Sequence, residues 1–192
     1  MDRERIKNEV KIFYKKLVDG EYQTEIDPLE LYHSLGYRSE ELAKLPAEIK
    51  LGLACGNPLE QLILRPGETL LDLGSGAGLD LFLARIRFPE GGTFYGVDHL
   101  PEMLAKAERT AAKKGFKDLE FRLGELVDLP FATESIDKII SNCVINLESD
   151  KISVYREIYR VLKTGGEAII SDVYLKQPLS SELQQADNLY GT

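Results

Sequence analysis

The chain carries two rhythms of apolar and polar positions. In the opening stretch Ile6, Val10, Tyr14 and Leu17 recur three or four residues apart, which predicts an amphipathic helix stopped at Gly20. A second helical stretch is expected over residues 28–36, and Ser39 is a candidate cap for a third over 40–43. This portion has no alternating pattern and no glycine-rich loop. Residues 1–50 are therefore expected to form a helical cap packed on the domain that follows, at 51–192.

After the turn-rich Cys55-Gly56-Asn57-Pro58 the pattern changes. Short apolar runs at 69–73, 93–97, 119–123, 138–141 and 167–173 read as strands. Helical patterns at 79–88, 101–114 and 151–162 lie between them, with Pro101 at the favoured first helical position. The third of these helices is expected to end at Thr164-Gly165-Gly166, and 180–189 begins one more. Strands alternating with helices predict an α/β class: a doubly wound, mostly parallel sheet with five strands accounted for.

Charge and composition exclude several classes of function. The net charge is −8, and nucleic-acid affinity rests on clustered Lys and Arg, so a phosphate-backbone partner is not expected. Lys113, Lys114 and Lys117 read as a solvated helix end. No run of about 18 uncharged apolar residues is present, so no membrane span is expected. The charged opening MDRERIKNEVKIFYKK lacks the apolar core of a signal peptide, and a cytoplasmic location is the expectation. The two cysteines, Cys55 and Cys143, lie 88 positions apart. That is neither a disulfide framework nor a local zinc spacing.

The candidate chemistry lies in Asp72-Leu73-Gly74-Ser75-Gly76-Ala77-Gly78, between the first predicted strand and the helix after it. Glycines there let the backbone turn sharply and bring main-chain N–H groups to a ligand at a helix start. Asp98 ends the second predicted strand, 20 positions beyond Gly78, where a carboxylate suits ribose hydroxyls. A dinucleotide fingerprint needs glycine or alanine at the sixth position of the loop. Leu79 stands there, so a dinucleotide fits poorly, and no Gly-Lys-Ser or Gly-Lys-Thr follows to make a P-loop.

Residues 71–78 resemble the first motif of Rossmann-like S-adenosylmethionine-dependent methyltransferases. Gly96-Val97-Asp98 resembles their second motif, and Gly124-Glu125-Leu126 with Leu129-Pro130-Phe131 their third. Residues 161–166 are similar to the turn before their fifth strand. The resemblance implies S-adenosyl-L-methionine as cofactor. Asp72 would approach its methionine amino group, and Gly74, Ser75, Gly76 and Gly78 would make room for the methionine moiety. Asp98, with His99 beside it, would hold the ribose, and Glu125 and Leu126 would flank the adenine. Asn142 completes the cofactor-binding set.

A narrower resemblance, to arsenite methyltransferases, lies in Ser141-Asn142-Cys143-Val144-Ile145-Asn146-Leu147 with Asp150-Lys151 behind it. Residues 51–58, Ser171-Asp172-Val173 and the lead-in Leu35-Gly36-Tyr37 agree with it. It implies a small acceptor, arsenite or its thiol adduct, with Cys143 and Cys55 as catalytic residues ligating arsenic. Trivalent arsenic is thiophilic and suits soft thiolates. That family carries a further cysteine just after a segment like Asn188-Leu189-Tyr190-Gly191. Here Thr192 follows, and a sheet edge open to another element or a second chain is expected. Two other functions fit the same residues: methyl transfer to a different small molecule, or cofactor binding without turnover.

Overall fold

Leu70–Leu73, the first strand (β1), is buried at every position, as expected of a strand covered on both faces of a parallel sheet. The computed structural model describes residues 3–21 and 26–177, with side chains from residue 8 onward. The helix expected at 180–189 and the segment 188–191 lie outside the described residues. Three helices come first: α1 (Arg3–Asp19), α2 (Pro28–Ser34) and α3 (Ser39–Leu42). Asp27 caps α2 by accepting from the N–H groups of Leu29 (2.8 Å) and Glu30 (3.2 Å). Ser39 is not a cap: Arg38 holds that position, and Ser39 is the first helical residue.

After β1 come α4 (Leu79–Arg87), β2 (Phe94–Asp98), α5 (Pro101–Lys114), β3 (Leu119–Leu123), β4 (Ile136–Asn142), α6 (Lys151–Val161) and β5 (Leu162–Ser171). The five strands form one sheet in the order β3-β2-β1-β4-β5, with every neighbouring pair parallel. The chain winds outward from β1 in both directions. The reversal between β1 and β4 opens a crevice at the carboxyl ends of those strands, where such sheets bind ligands.

Alternation along the strands sorts the core into two layers. Leu70 and Ile140 pack with Phe82 of α4, Met103 of α5 and Tyr32, Tyr37 and Leu42 of the N-terminal helices. Leu71, Leu73 and Ile139 pack on the other face against Val154 and Ile158 of α6. The N-terminal segment thus shares one apolar layer with the sheet. Lys106 of α5 further ties down α1 by donating to the carbonyl of Val18 at 3.3 Å. No helix among the described residues is long and apolar enough to cross a membrane.

Two strand boundaries differ from expectation. β4 runs on through Asn142, which places that side chain at the crevice. β5 starts at Leu162, directly after α6, and ends at Ser171. The Gly165-Gly166 turn therefore lies inside the strand. Ile136 pairs with Leu162 and Lys138 with Glu167, so residues 163–166 bulge opposite Asp137 alone.

Candidate active site

The loop between β1 and α4 is shaped by glycines that could not be other residues. Gly74 has φ +65°, and a Cβ there would come within 2.5 Å of Val144 Cγ2. Gly78 caps α4 at φ +85°, where a Cβ would meet the ring of Phe82 at 2.9 Å. Asp98, at the end of β2, clasps this loop: one carboxylate oxygen accepts from Gly76 N and the other from Leu100 N, each at 2.9 Å.

Two adjoining cavities open at this end of the sheet. The first, about 100 Å³, is bordered by Asp72, the glycine loop from Gly74 to Gly76, Asp98, Asn142, Cys143 and Tyr14 of α1. The second, about 290 Å³, is bordered by Gly124, Glu125 and Leu126 and by Asn8, Val10 and Lys11 of α1. Asp98 and His99 border both, and His99 Nδ1 lies 3.7 Å from Asp98 Oδ1. Of the residues expected to touch a cofactor, only Gly78 borders neither cavity. Its place is under the helix start.

The first cavity is acidic. Burial pushes the carboxyl of Asp72 well above the ordinary range, and the nearby charges of Asp80 and Asp98 push it further. Burial raises Asp80 and Asp98 as well, against hydrogen bonds that favour their ionised forms. Tyr14 is raised first by burial and then by the negative charges of Cys143, Asp98, Cys55 and Asp172. Ser75 Oγ is buried with no hydrogen-bond partner among the described residues.

A second constellation adjoins the cavity. Cys55 Sγ, Cys143 Sγ and a carboxylate oxygen of Asp172 all lie within 4.8 Å of one another. Cys143 follows β4 with φ +57°, a left-handed conformation costly for a residue with a Cβ, and its N–H donates to Ser171 O at 2.8 Å. The Cys55 N–H donates to Asn142 Oδ1 at 3.2 Å. The Cys55 thiol faces Ser171 O at 3.7 Å and Asn142 Oδ1 at 3.9 Å, and the closeness of the two sulfurs lowers the pKa of Cys55 and raises that of Cys143. One proton of the pair therefore leaves easily and the other reluctantly.

Asn142 anchors this arrangement. Its Nδ2 lies 2.9 Å from Asp80 Oδ2, 3.0 Å from Gly56 O and 2.9 Å from Tyr37 Oη. The Tyr37 hydroxyl in turn donates to Asp80 Oδ1 at 2.7 Å. Thus α4, β4, the N-terminal segment and the Cys55 loop meet in one buried polar network. Sequence reasoning missed Asp80, Tyr37 and Tyr14. An acidic residue inside the apolar run Leu79-Asp80-Leu81-Phe82 was the available signal for Asp80, whereas Tyr14 read as an ordinary apolar position of a helix and Tyr37 only as part of the lead-in Leu35-Gly36-Tyr37, with no role at the site.

An outward-wound parallel sheet, a glycine loop after β1 and a carboxylate ending β2 are features of the Rossmann-like methyltransferase fold. A family model described as a methyltransferase domain matches residues 64–192, and the chain belongs to that family. It is 46% identical over 158 residues to an arsenite methyltransferase of Halobacterium salinarum, covering 82% of this chain and 40% of that protein. To an arsenite methyltransferase of Aquipseudomonas alcaligenes it is 45% identical, covering 67% of this chain and 39% of the other. The crystal structure of an arsenic(III) S-adenosylmethionine methyltransferase from Chlamydomonas reinhardtii superposes with a TM-score of 0.68 at 34% identity. That match covers 79% of this chain and 54% of the other. The chain spans about 40% of the length of these two curated relatives.

The donor set suits the cofactor. S-adenosylmethionine carries a sulfonium and an ammonium, and the first cavity offers carboxylates raised by burial, with Asp72 raised further by Asp80 and Asp98. The unpartnered Ser75 Oγ beside it offers a polar contact.

Proposed function

We propose that this chain transfers a methyl group from S-adenosylmethionine to trivalent arsenic held by the thiolates of Cys55 and Cys143. The observation that carries this reading is the pair of half-buried thiols brought together at the rim of the cofactor cavity, one on a strained backbone. Strain of that kind persists where the surrounding structure over-determines it, and it concentrates at functional sites.

In this reading the chain binds and orients both reactants. Asp72 neutralises the amino group of the methionine moiety, and Asp98 accepts from the ribose hydroxyls while bracing the glycine loop. His99 closes the ribose side, and Glu125 with Leu126 borders the adenine. S-adenosylmethionine, when bound, supplies an electrophilic methyl group on a sulfonium sulfur. Arsenic enters by exchange: an arsenic–oxygen or arsenic–sulfur bond breaks as a bond to Cys55 or Cys143 forms, and the thiol proton leaves with the departing hydroxide or thiolate. The more acidic member of the thiol pair starts this exchange. Arsenic bound through thiolates keeps its lone pair, so no general base is needed at the acceptor. Orientation and exclusion of water are the protein's contribution, and positioning alone lowers such barriers by several kcal/mol, up to about 7–11.

The test is incubation with methyl-labelled cofactor, arsenite and glutathione. Methylated arsenic from wild-type protein, and its loss in Cys143→Ser, is the expected result. Cofactor binding with no arsenic product would overturn the assignment and leave another acceptor or a binding module.

A further inference from the structure

The three groups at the thiol site come from three separate segments: Cys55 from the loop before β1, Cys143 from just after β4, and Asp172 from just after β5. Among the described residues they form the one group of metal-ligating side chains whose donor atoms all lie within 4.8 Å of one another. Their donors are mixed, two soft sulfurs and one hard oxygen. Three-coordinate arsenic, being thiophilic, has little use for the oxygen. A borderline dication of the zinc and cadmium kind takes thiolate and carboxylate together in a tetrahedron, with a fourth position for water or a small thiol. Bonds of about 2.0–2.3 Å at tetrahedral angles put ligand atoms roughly 3.5–3.8 Å apart. The three donors, all within 4.8 Å of one another, would have to draw in to that spacing around an ion.

Each ligand is also held from behind, as metal ligands generally are. Asp172 accepts from Asn146 N at 3.1 Å through Oδ2 and from Val173 N at 2.8 Å through Oδ1. Each oxygen keeps a lone pair for a metal. The backbone of Cys143 is pinned to Ser171 O, and that of Cys55 to Asn142 Oδ1.

We propose that Cys55, Cys143 and Asp172 form a binding site for a zinc- or cadmium-like dication, with Asp172 the ligand that separates such ions from arsenic. The site stands on the three side chains alone and does not depend on arsenic being the acceptor. A dication seated there occupies both thiolates, and it blocks any acceptor that needs them.

Cobalt(II), then zinc(II), titrated into reduced protein under anaerobic conditions tests this. One equivalent of cobalt should give a thiolate-to-cobalt charge-transfer band and tetrahedral visible bands, and zinc should displace them. Asp172→Asn and Asp172→Ser are both made, so that one misfolded variant does not decide the result. Cofactor affinity and thermal unfolding are measured alongside. Each variant should lower the ratio of zinc to arsenite affinity by about tenfold or more, since loss of even an outer partner of a metal ligand costs that much. Wild-type protein without the charge-transfer band, or a band and zinc affinity indifferent to both Asp172 substitutions, would overturn the site. Zinc binding in protein that binds no arsenite upholds it and rejects only the arsenic reading.

Discussion

Cys143 places a thiol where the backbone favours glycine. At φ +57° a residue with a Cβ bears about 1–2 kcal/mol of strain that glycine escapes. Cys143→Ala keeps the strain and loses the sulfur, whereas Cys143→Gly loses both. The glycine variant should therefore unfold at a higher temperature than the alanine variant, by roughly 2–4 °C per kcal/mol in a domain of this size. Thermal denaturation in reductant reads the difference, and an alanine variant that melts higher would mean the strain is not real. Asp98 presents a different case, since it serves both loop and ligand. Asp98→Ala should weaken S-adenosylmethionine binding about tenfold or more, from loss of a charge-assisted acceptor worth about 1.5–3 kcal/mol. Calorimetry returning an unchanged affinity would remove Asp98 from the ribose.

At the scale of elements, β1 and β4 are clamped at their amino ends, away from the crevice. Asp137 accepts from the N–H and hydroxyl of Thr69, at 2.9 and 2.8 Å, and from Lys163 Nζ at 2.7 Å. Burial works to raise its pKa, but these donors outweigh burial and hold it below the ordinary carboxylate range. A depressed folded-state pKa gives stability that is present above about pH 3.9 and is lost as the pH falls through the folded value. Asp137→Asn should cost about 1–3 kcal/mol at neutral pH. Urea titrations at descending pH should show the gap to wild type closing below about pH 4. A gap independent of pH would mean that shape, not charge, makes the clamp.

The elements themselves were legible because each carried its period and its stops: Pro101 opens α5, and Gly115 ends it in a left-handed cap. β5 was misplaced because Gly165-Gly166 is ambiguous in sequence; a double glycine serves a turn before a strand or a bulge within one. Asp72, Asp98 and the thiols were legible from motif and position. The Tyr37–Asp80–Asn142 network was not, because its members are brought together only by folding, with 105 positions between Tyr37 and Asn142.

The molecule as a whole gathers Asp72, Asp80 and Asp98 at one end of the sheet, and burial raises all three. A folded-state pKa above the unfolded value gives stability that is full below the ordinary carboxylate range and is lost as pH rises through the folded value. Cofactor-free protein should therefore lose stability from about pH 4 upward through the raised values. A cationic cofactor favours the ionised carboxylates and counters that loss. The rise in melting temperature on adding S-adenosylmethionine should thus be larger at pH 8 than at pH 5. Equal shifts would show that the carboxylates do not act on the cofactor's charge.

The all-parallel sheet also bears on how the protein is made. Cys55 meets Asn142 across 87 positions and Ser171 across 116, and such distant partners come together late and slowly in folding. Synthesis from the amino end delivers Cys55 first and Ser171 after both thiols, so each thiol is out on the chain before any pocket exists to receive it. An agent that prizes thiols meets the unfinished polypeptide on easier terms than the finished one. Refolding from urea should accordingly slow or fail as arsenite is added, while protein already folded keeps its structure at the same concentration. Fluorescence-monitored refolding with arsenite added before or after the jump separates the two, and equal effects would show that the thiols are no better guarded in the native state.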